Sequence, residues 1–222
     1  MSSVILHIES ATKVCSVAIS SNGKLIDFKE DASDQFMHGE SLTLFIEELM
    51  LRNQLQMTDL AAVSVSSGPG SYTGLRIGVS TAKGLCYALN IPLIAIQTME
   101  SMAELGKEKY PNAQLTPMID ARRMEVYCQI FNSDLSTLKV LSADILDEET
   151  YTEYEPFVCF GDGAPKMQEL WNNRNITFDL ELLPSAKGQV LLAFEKFKNS
   201  DFEDLAYFAP FYLKEFMAGG AH

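Results

Sequence analysis

A block of glycines and hydroxyl residues at positions 66–74 offers the clearest chemistry in this chain. Its sequence is SSGPGSYTG, and it lies between a predicted strand and a predicted helix. Glycines allow backbone N–H groups to approach an anion at a helix N-terminus, where the helix dipole also favours negative charge. One interpretation is therefore a phosphate or carboxylate site built on Gly68, Gly70 and Ser71. An alternative that the sequence supports equally well is a tight turn that starts a helix.

The spacing of these glycines differs from that of both familiar phosphate-binding motifs. Gly74, the third glycine, comes one residue too late for a dinucleotide-binding fingerprint, and no acidic residue ends the next predicted strand near Ile96. A Walker loop needs Lys followed by Ser or Thr after the glycines, and the sequence lacks that pair. The block therefore indicates neither of these two nucleotide-binding folds.

Two carboxylates, Glu9 and Asp120, each stand at the end of an apolar run. If the two runs are strands that end at a shared cleft, the carboxylates could hold a metal–phosphate unit or activate a water molecule. The alternative is that each carboxylate caps a turn. For a single carboxylate at a strand end, that alternative is the commoner one.

The histidines and cysteines predict neither a metal site nor a nucleophile. The 3 histidines are far apart, and the 4 cysteines include no CxxC pair and have no neighbouring histidine. No local pattern assembles a Ser-His-Asp or Cys-His nucleophile. We therefore expect no disulfide and no zinc site, a pattern typical of a cytoplasmic protein.

Composition limits the classes of function further. The 222 residues are 47% hydrophobic and 21% charged, which suffices for a packed core and excludes a disordered chain. The formal net charge of −13 leaves no overall positive footprint for a nucleic-acid backbone. The N-terminus has no basic region typical of a signal peptide, and no run approaches the roughly 18 apolar residues of a membrane span.

Hydrophobic periodicity predicts the elements of the first half. A strand at 4–9 is followed by a hairpin, because Asn22-Gly23 readily adopts positive φ between two alternating runs. Apolar residues then recur every three or four positions, which predicts a helix. The predicted order is strand 4–9, strand 15–20, strand 24–29, helix 35–57, strand 61–66, helix 72–89 and strand 91–96.

The second half repeats this pattern. Predicted strands at 118–122 and 125–131 match the first two strands of the chain, which indicates a weak internal repeat. Further strands are predicted at 137–141 and 157–160, and helices near 164–173 and at 185–199. The last helix is predicted to turn Val190, Leu191, Phe194 and Phe197 inward.

The repeat predicts an α/β protein of two domains, residues 1–100 and 101–222, joined near positions 98–110. The last segment is a candidate for packing back on the first domain. The sequence contains no Gly/Ser or Pro linker between the halves, so we expect them to pack tightly and to share a cleft.

Two features of the predicted helices point to a packing surface. In the helix at 35–57, Leu44, Leu51 and Leu55 form a second apolar strip outside the first, which predicts either a partner or ordinary surface leucines. In the helix at 72–89, small residues recur every four positions and predict a groove for close helix packing, inside the fold or against another subunit. The groove and its flanks comprise Gly74, Gly78, Ala82, Ile77, Thr81 and Leu85.

Five segments together resemble the bacterial TsaB (YeaZ) family: LHIESAT at 6–12, CSVA at 15–18, GPGSYTGLRIG at 68–78, IDAR with EVY at 119–127, and PFYLK at 210–214. The resemblance covers essentially the whole chain. It implies two ribonuclease H-like domains of the actin, heat-shock-chaperone and sugar-kinase superfamily, the second domain smaller. It also implies a role in forming threonylcarbamoyladenosine next to the anticodon of tRNAs that read codons starting with A.

The resemblance implies a non-catalytic subunit that binds and activates a catalytic paralogue, TsaD, through its first two helices. TsaD carries a His-x-x-x-His metal motif, whereas Thr98 and Met102 stand at the corresponding positions here. Thioether and threonine hydroxyl are poor ligands for a divalent metal ion. An ATPase, TsaE, is implied as a third member, with a homodimer when the chain is alone, a cytoplasmic location, and tRNA met only indirectly.

The superfamily also leaves nucleotide binding open, although no cofactor is required. Residues 161–164, GDGA, stand where superfamily members contact adenosine, while Glu9 replaces the family's usual aspartate and Lys214 its usual arginine. An ATPase or kinase-like enzyme using Mg²⁺ is therefore the alternative function, and a metallopeptidase is the weakest. The possible nucleotide contacts are Glu9, Ser10, Thr12, Gly68, Gly70, Ser71, Asp120, Gly161 and Gly163.

Overall fold

The first sheet combines an antiparallel meander with two parallel strands. The computed structural model describes residues 3–32 and 38–214, and only the backbone of His38 and Glu40. Within these residues β1 to β3 pair antiparallel, and β4 and β5 run parallel to β1 in the order β3-β2-β1-β4-β5. The strands are β1 Val4–Glu9, β2 Cys15–Ser21, β3 Lys24–Asp31, β4 Leu60–Gly68 and β5 Leu93–Gln97.

The second sheet repeats the first. Its described strands have the order β8-β7-β6-β9-β10, with β6, β7 and β8 antiparallel and β9 and β10 parallel to β6. The strands are β6 Gln114–Asp120, β7 Glu125–Phe131, β8 Thr137–Ile145, β9 Phe157–Phe160 and β10 Ile176–Asp179. Two mixed sheets of the same topology, each in an α/β domain, therefore underlie the internal repeat. The smaller size of the second domain stays a prediction.

Helices cover both faces of the first sheet. On one face, α1 (His38–Arg52) and α2 (Tyr72–Leu89) bury Leu42, Ile46 and Val79 against apolar side chains of the strands. On the other face, α4 (Val190–Lys198) packs Ala193 against strand residues including Ile5. The C-terminal part of the chain therefore completes the core of the first sheet. Among the described residues no helix combines the length and apolar character needed to cross a bilayer.

The segment that joins the two sheets is a helix. α3 (Thr98–Lys109) begins where β5 ends, and its Met99 and Met102 pack with Leu115 of β6 and Phe160 of β9. On another side, Gly188 lies directly against the backbone of Ser101. One helix thus contacts both the second sheet and the turn that precedes α4, which explains the absence of a polar linker.

Several predicted elements differ from the structure. The predicted helix near 164–173 is wrong: the structure has a single 3-10 turn there, Ala164–Met167, and the Trp171 indole donates to the carbonyl of Asp147 (2.8 Å), which anchors the chain after that turn. The last helix begins only at Val190, after the 3-10 turn Ala186–Gln189, and Leu191 is exposed rather than inward.

The boundaries of other elements also change. The predicted helix at 35–57 ends at Arg52, because the chain turns through Gln54 with a φ of +55°. Positions 35–37 of that prediction lie outside the described residues. Strand β10 was not predicted, because its four residues, ITFD, are too few to show an alternation of apolar and polar side chains.

Candidate functional site

The glycine-rich block packs against the loop between β1 and β2. Ser71 caps α2, since the Gly74 N–H donates to the Ser71 hydroxyl (3.2 Å). The Ser71 N–H in turn donates to the carbonyl of Ala11 (2.6 Å), and a side chain at Gly70 would collide with the same residue. Gly70 and Ser71 therefore hold the start of α2 to that loop.

The other side of the block is covered by residues 203–214, which we call the C-terminal strap. Its Phe211 N–H donates to the carbonyl of Ser67 (2.7 Å), and the Phe211 carbonyl fills the space beside Gly68, whose φ is +115°. The Lys83 ammonium donates to the carbonyls of Ala206 (3.3 Å) and Phe208 (2.9 Å) in the strap. Gly68 and Gly70 thus give room to the chain itself, which agrees with the alternative of a tight turn that starts a helix.

Glu9 does not face an open cleft, and this corrects the proposed pairing with Asp120. Its side chain is fully buried, accepts from the Ala11 N–H (2.7 Å) and accepts a hydrogen bond from the Ser66 hydroxyl. Burial raises the pKa of the Glu9 carboxyl, against the opposing effect of these hydrogen bonds. The enclosed carboxylate thus joins the loop after β1 to β4.

Glu9 belongs to a line of buried polar groups that the sequence analysis missed. The Gln189 amide donates to the Ser66 hydroxyl (3.0 Å), and the Ser64 hydroxyl donates to the Gln189 carbonyl oxygen (2.7 Å). His7 Nδ1 lies 2.7 Å from Ser64 Oγ, and burial lowers the pKa of His7 to about 3. The line fixes the turn before α4 to the sheet. The signal in the sequence is the alternation of serines in β4 opposite His7 and Glu9 in β1.

Asp120 is exposed and organises the turn between β6 and β7. Its Oδ1 accepts from the Arg122 N–H (2.5 Å) and from the Lys166 ammonium (2.6 Å). The Asp120 N–H donates to Asp162 Oδ1 (3.0 Å). Asp120 therefore has the turn-capping role that the sequence left as an alternative.

The turn at 161–164 is closed onto β6. Gly161 has a φ of +96°, and a side chain there would collide with the carbonyl of Met118. The Gly163 N–H donates to that same carbonyl (3.1 Å). These two glycines therefore allow the turn to pack on the strand beside it.

The residues at the expected metal positions lie in the core. Thr98 and Met102 are both buried on α3, and the Thr98 hydroxyl has no hydrogen-bond partner within the described residues. In the same residues no three or more His, Cys, Asp and Glu side chains gather as metal ligands. Ser10 and Thr12 are also buried, with the Thr12 hydroxyl accepting from the Val14 N–H (3.3 Å).

Five of the eight expected interface residues are accessible, and three are not. Leu44 and Leu51 on α1 are 61% and 78% exposed. The partly exposed residues on α2 are Ile77, Thr81 and Leu85. The prediction of a partner contact is wrong for Gly74, Gly78 and Ala82, because all three are buried within the fold. The physical reason is that the Ser10 hydroxyl and Ile8 occupy the space beside Gly78.

The outer face of α2 carries residues that the sequence analysis missed. Tyr87 is 82% exposed, and Gly84 has open space beside it. Both lie on a stripe of exposed positions at 73, 76, 80, 84 and 87, whose spacing of three and four residues could have been found as the complement of the buried stripe. Leu44 and Leu51 on α1 and Tyr87 on α2 are thus large apolar side chains exposed on two helices that contact each other.

Known proteins share this architecture and sequence. A sequence model of the family TsaD, tRNA N6-adenosine threonylcarbamoyltransferase, matches residues 30–216. The tRNA threonylcarbamoyladenosine biosynthesis protein TsaB of Escherichia coli is 28% identical, covering 96% of this chain and 96% of that protein. TsaB of Buchnera aphidicola from Acyrthosiphon pisum is 28% identical, covering 90% and 93%.

A solved structure agrees at the level of the fold. It is described as an uncharacterized protein with similarity to peptidase YEAZ from Pseudomonas aeruginosa, and it has a TM-score of 0.82, 22% identity and coverage of 96% of this chain and 100% of that one. At this identity the likeness concerns the fold alone. The family match over residues 30–216 and the two TsaB relatives show that the chain belongs to the threonylcarbamoyltransferase family of TsaD and, within it, to the TsaB (YeaZ) group.

Proposed function

We propose that this chain is a non-catalytic subunit in tRNA threonylcarbamoyladenosine formation, which binds the catalytic subunit TsaD and activates it. The observation that carries the proposal is that α1 and α2, two helices in contact, expose the large apolar side chains of Leu44, Leu51 and Tyr87. We call these three residues the docking surface. The relatives named above are proteins of the same modification and the matching family model is that of TsaD, which supports TsaD as the partner.

The docking surface has the composition of an interface centre. Burial of one exposed leucine or tyrosine side chain stabilises an association by about 1.5–3 kcal/mol, whereas exposure to water gains nothing. Tyrosine is also enriched among the residues that dominate binding energy. Ile77 and Leu85, both partly exposed and packed on the core, add apolar area on α2. Closely packed helices give a partner a rigid apolar face.

The residues with possible chemistry support a role without catalysis in this chain. Glu9, Thr98 and Met102 are enclosed in the core, so a substrate could not reach them without local unfolding. The imidazole pair of the paralogue is replaced by a hydroxyl and a thioether, which bind divalent metal ions poorly. Threonylcarbamoyl transfer then takes place on TsaD, and this chain contributes binding energy.

The proposal includes the rest of the assembly. TsaE would supply ATP hydrolysis, so this chain requires no cofactor of its own. In the absence of TsaD, a second copy of the chain could cover the same docking surface and remove its apolar residues from water. The homodimer and the TsaD complex would then be mutually exclusive.

The experiment compares two charge substitutions of matched exposure. Leu51→Glu places a carboxylate on the docking surface, whereas Val140→Glu places one on β8, where Val140 is 74% exposed. Size exclusion with light scattering, with and without purified TsaD, should show a loss of affinity of about tenfold or more for Leu51→Glu only. Equal binding by both variants, or equal loss, would contradict the docking surface.

Activity completes the same experiment. Threonylcarbamoyl transfer to tRNA by TsaD and TsaE should need the wild-type chain or Val140→Glu, and should fall with Leu51→Glu. The isolated chain should show no transfer. An alternative ATPase or kinase would instead show saturable heat with ATP and Mg²⁺ in calorimetry, followed by phosphate release that Asp120→Asn abolishes.

A further inference from the structure

The turn between β6 and β7 holds two arginines in an unfavourable backbone conformation. Arg122 and Arg123 have φ values of +70° and +53°. The turn is closed by a hydrogen bond from the Ala121 N–H to the Glu125 carbonyl (3.1 Å) and by one from the Glu125 N–H to the Arg122 carbonyl (3.3 Å). Asn and Gly adopt positive φ with much less strain, so they are the usual residues of such a turn. Strain retained at two neighbouring residues indicates a use for their side chains.

The positive charges of these two arginines are not neutralised by neighbouring carboxylates. Both are exposed, and within the described residues neither guanidinium has a hydrogen bond or an ion pair. The nearby carboxylates are already paired, Asp120 with Lys166 and Glu125 with Lys214. In a chain with a net charge of −13, the turn is therefore a local positive site.

One further carboxyl, that of Asp162, lies close to Asp120. Burial raises the pKa of Asp162, which limits the negative charge that it adds beside the turn. Asp162 also accepts the Asp120 N–H (3.0 Å), so its oxygen is turned towards the backbone. The carboxylates around the turn thus support its shape without neutralising the two guanidiniums.

Aromatic rings accompany the positive charges. Tyr127 is partly buried, packs on the core of the second sheet and lies within electrostatic range of both Arg122 and Lys214. Two residues before Lys214, the Tyr212 hydroxyl of the strap accepts a hydrogen bond from the Arg76 guanidinium of α2 (3.2 Å), which lies 4.0 Å from the centre of the Tyr72 ring. Alternating tyrosines and basic residues are typical of surfaces that follow a nucleic-acid strand, because bases stack on the rings while phosphates pair with the cations.

We propose that the β6–β7 turn binds the phosphodiester backbone of RNA, with Arg122 and Arg123 contacting successive phosphates beside Tyr127. A guanidinium binds phosphate oxygens in bidentate geometry. Both arginines lie exposed on the turn, an arrangement that suits an extended strand better than a small nucleotide, which needs an enclosing pocket. The adjoining aromatic rings favour RNA over an acidic peptide.

This inference goes beyond the proposed function, which requires no contact between this chain and RNA. It also departs from the expectation that tRNA is met only indirectly, and from the lack of an overall positive footprint in the net charge. Net charge averages over the whole surface, whereas phosphate binding depends on the field within about one Debye length, roughly 8–10 Å. Two unpaired guanidiniums can therefore act locally on an acidic protein.

The test measures binding of a fluorescein-labelled tRNA anticodon stem-loop by anisotropy, over a range of KCl concentrations. The variant Arg122→Asn/Arg123→Gly removes both guanidiniums and suits the positive φ values. The control Lys24→Ala/Lys198→Ala removes the same charge from exposed positions elsewhere. We expect the turn variant to bind about tenfold more weakly and its salt dependence to flatten by about 1.4 in log–log slope.

A second readout separates binding from structure. Because the turn variant relieves backbone strain, its thermal midpoint should rise by about 2–4 °C while RNA binding falls. Equal weakening by turn variant and control would overturn the proposal, as would absence of saturable RNA binding by the wild type. If ATP displaces the labelled RNA by binding at the turn, the site belongs to free nucleotide and the RNA assignment is overturned.

Different variants test the TsaD-binding and RNA-binding proposals independently. The turn variant should bind TsaD as the wild type does, and Leu51→Glu should bind the RNA stem-loop as the wild type does. Loss of TsaD binding in the turn variant would place the turn in the subunit interface and overturn the RNA assignment.

Discussion

The hydroxyl of Ser10 occupies the space that a side chain at Gly78 would need. The same hydroxyl donates to the carbonyl of Gly74 (2.9 Å), one helical turn earlier on α2. The loop after β1 is thereby held against the backbone of α2, at the point where the helix crosses the sheet. The stripe of small residues is explained by this contact inside the fold, and Tyr87 of the proposed docking surface lies on the exposed side of the helix.

Gly78→Ala should destabilise the protein, whereas Gly84→Ala should stabilise it. A methyl group at Gly78 collides with Ser10, and overpacking of this kind costs about 1–3 kcal/mol. At Gly84 the space is open, so alanine gains about 0.5–1 kcal/mol of helix propensity. Urea denaturation of both variants measures the difference. Equal stability of the two variants would show that the Ser10 contact does not constrain α2.

Gly68→Ala should release the C-terminal strap. Its φ of +115° and the nearby Phe211 carbonyl both exclude a side chain, so we expect a loss of about 1–3 kcal/mol. Hydrogen exchange should become faster at the Phe211 N–H, which loses its bond to Ser67. Gly39→Ala, where a methyl group meets open space, is the control. Unchanged exchange at Phe211 would argue that the strap is held elsewhere.

The stability of the protein should depend on His7 in mildly acidic solution. Burial lowers the pKa of His7 from 6.5 to about 3, so below pH 6.5 the unfolded chain binds a proton that the folded chain does not. The free energy of unfolding therefore falls with decreasing pH, by about 2 kcal/mol between pH 7 and pH 5 from this group. Glu9 acts in the opposite direction, since its raised pKa lowers stability as pH rises above 4.5.

The His7 contribution is isolated by comparing the wild type with His7→Gln in guanidinium titrations at both pH values. Glu9 is present in both proteins, so its effect cancels. The variant should lose about 2 kcal/mol less than the wild type over this interval. Parallel losses in the two proteins would mean that His7 is protonated in the folded state.

Thr98→Val should stabilise the protein, in contrast to Ser64→Ala. The buried Thr98 hydroxyl has no partner within the described residues, so its removal relieves a desolvation cost of about 1 kcal/mol or more. Ser64 bonds both His7 and Gln189, and its loss leaves two buried groups unsatisfied. Thermal denaturation compares the two variants. Destabilisation by Thr98→Val would indicate a polar partner for this hydroxyl.

Local patterns were sufficient to predict most of the first sheet. The Asn22-Gly23 turn and the alternation around it give the meander, and the three-and-four spacing gives α1 and α2. The repeat between the first strands of the two halves gave the two-domain topology. These features depend on neighbours within a few residues, so they are visible in a linear sequence.

The sequence by itself determined the strand and helix order of the first half, the repeat and the family resemblance, because these follow from spacing and from residue identity. Only the tertiary structure decided the roles of Gly68, Glu9 and Gly78, whose partners Phe211, Gln189 and Ser10 are distant along the chain. A side chain's exposure likewise depends on which elements meet in space, and periodicity along one element does not contain that information.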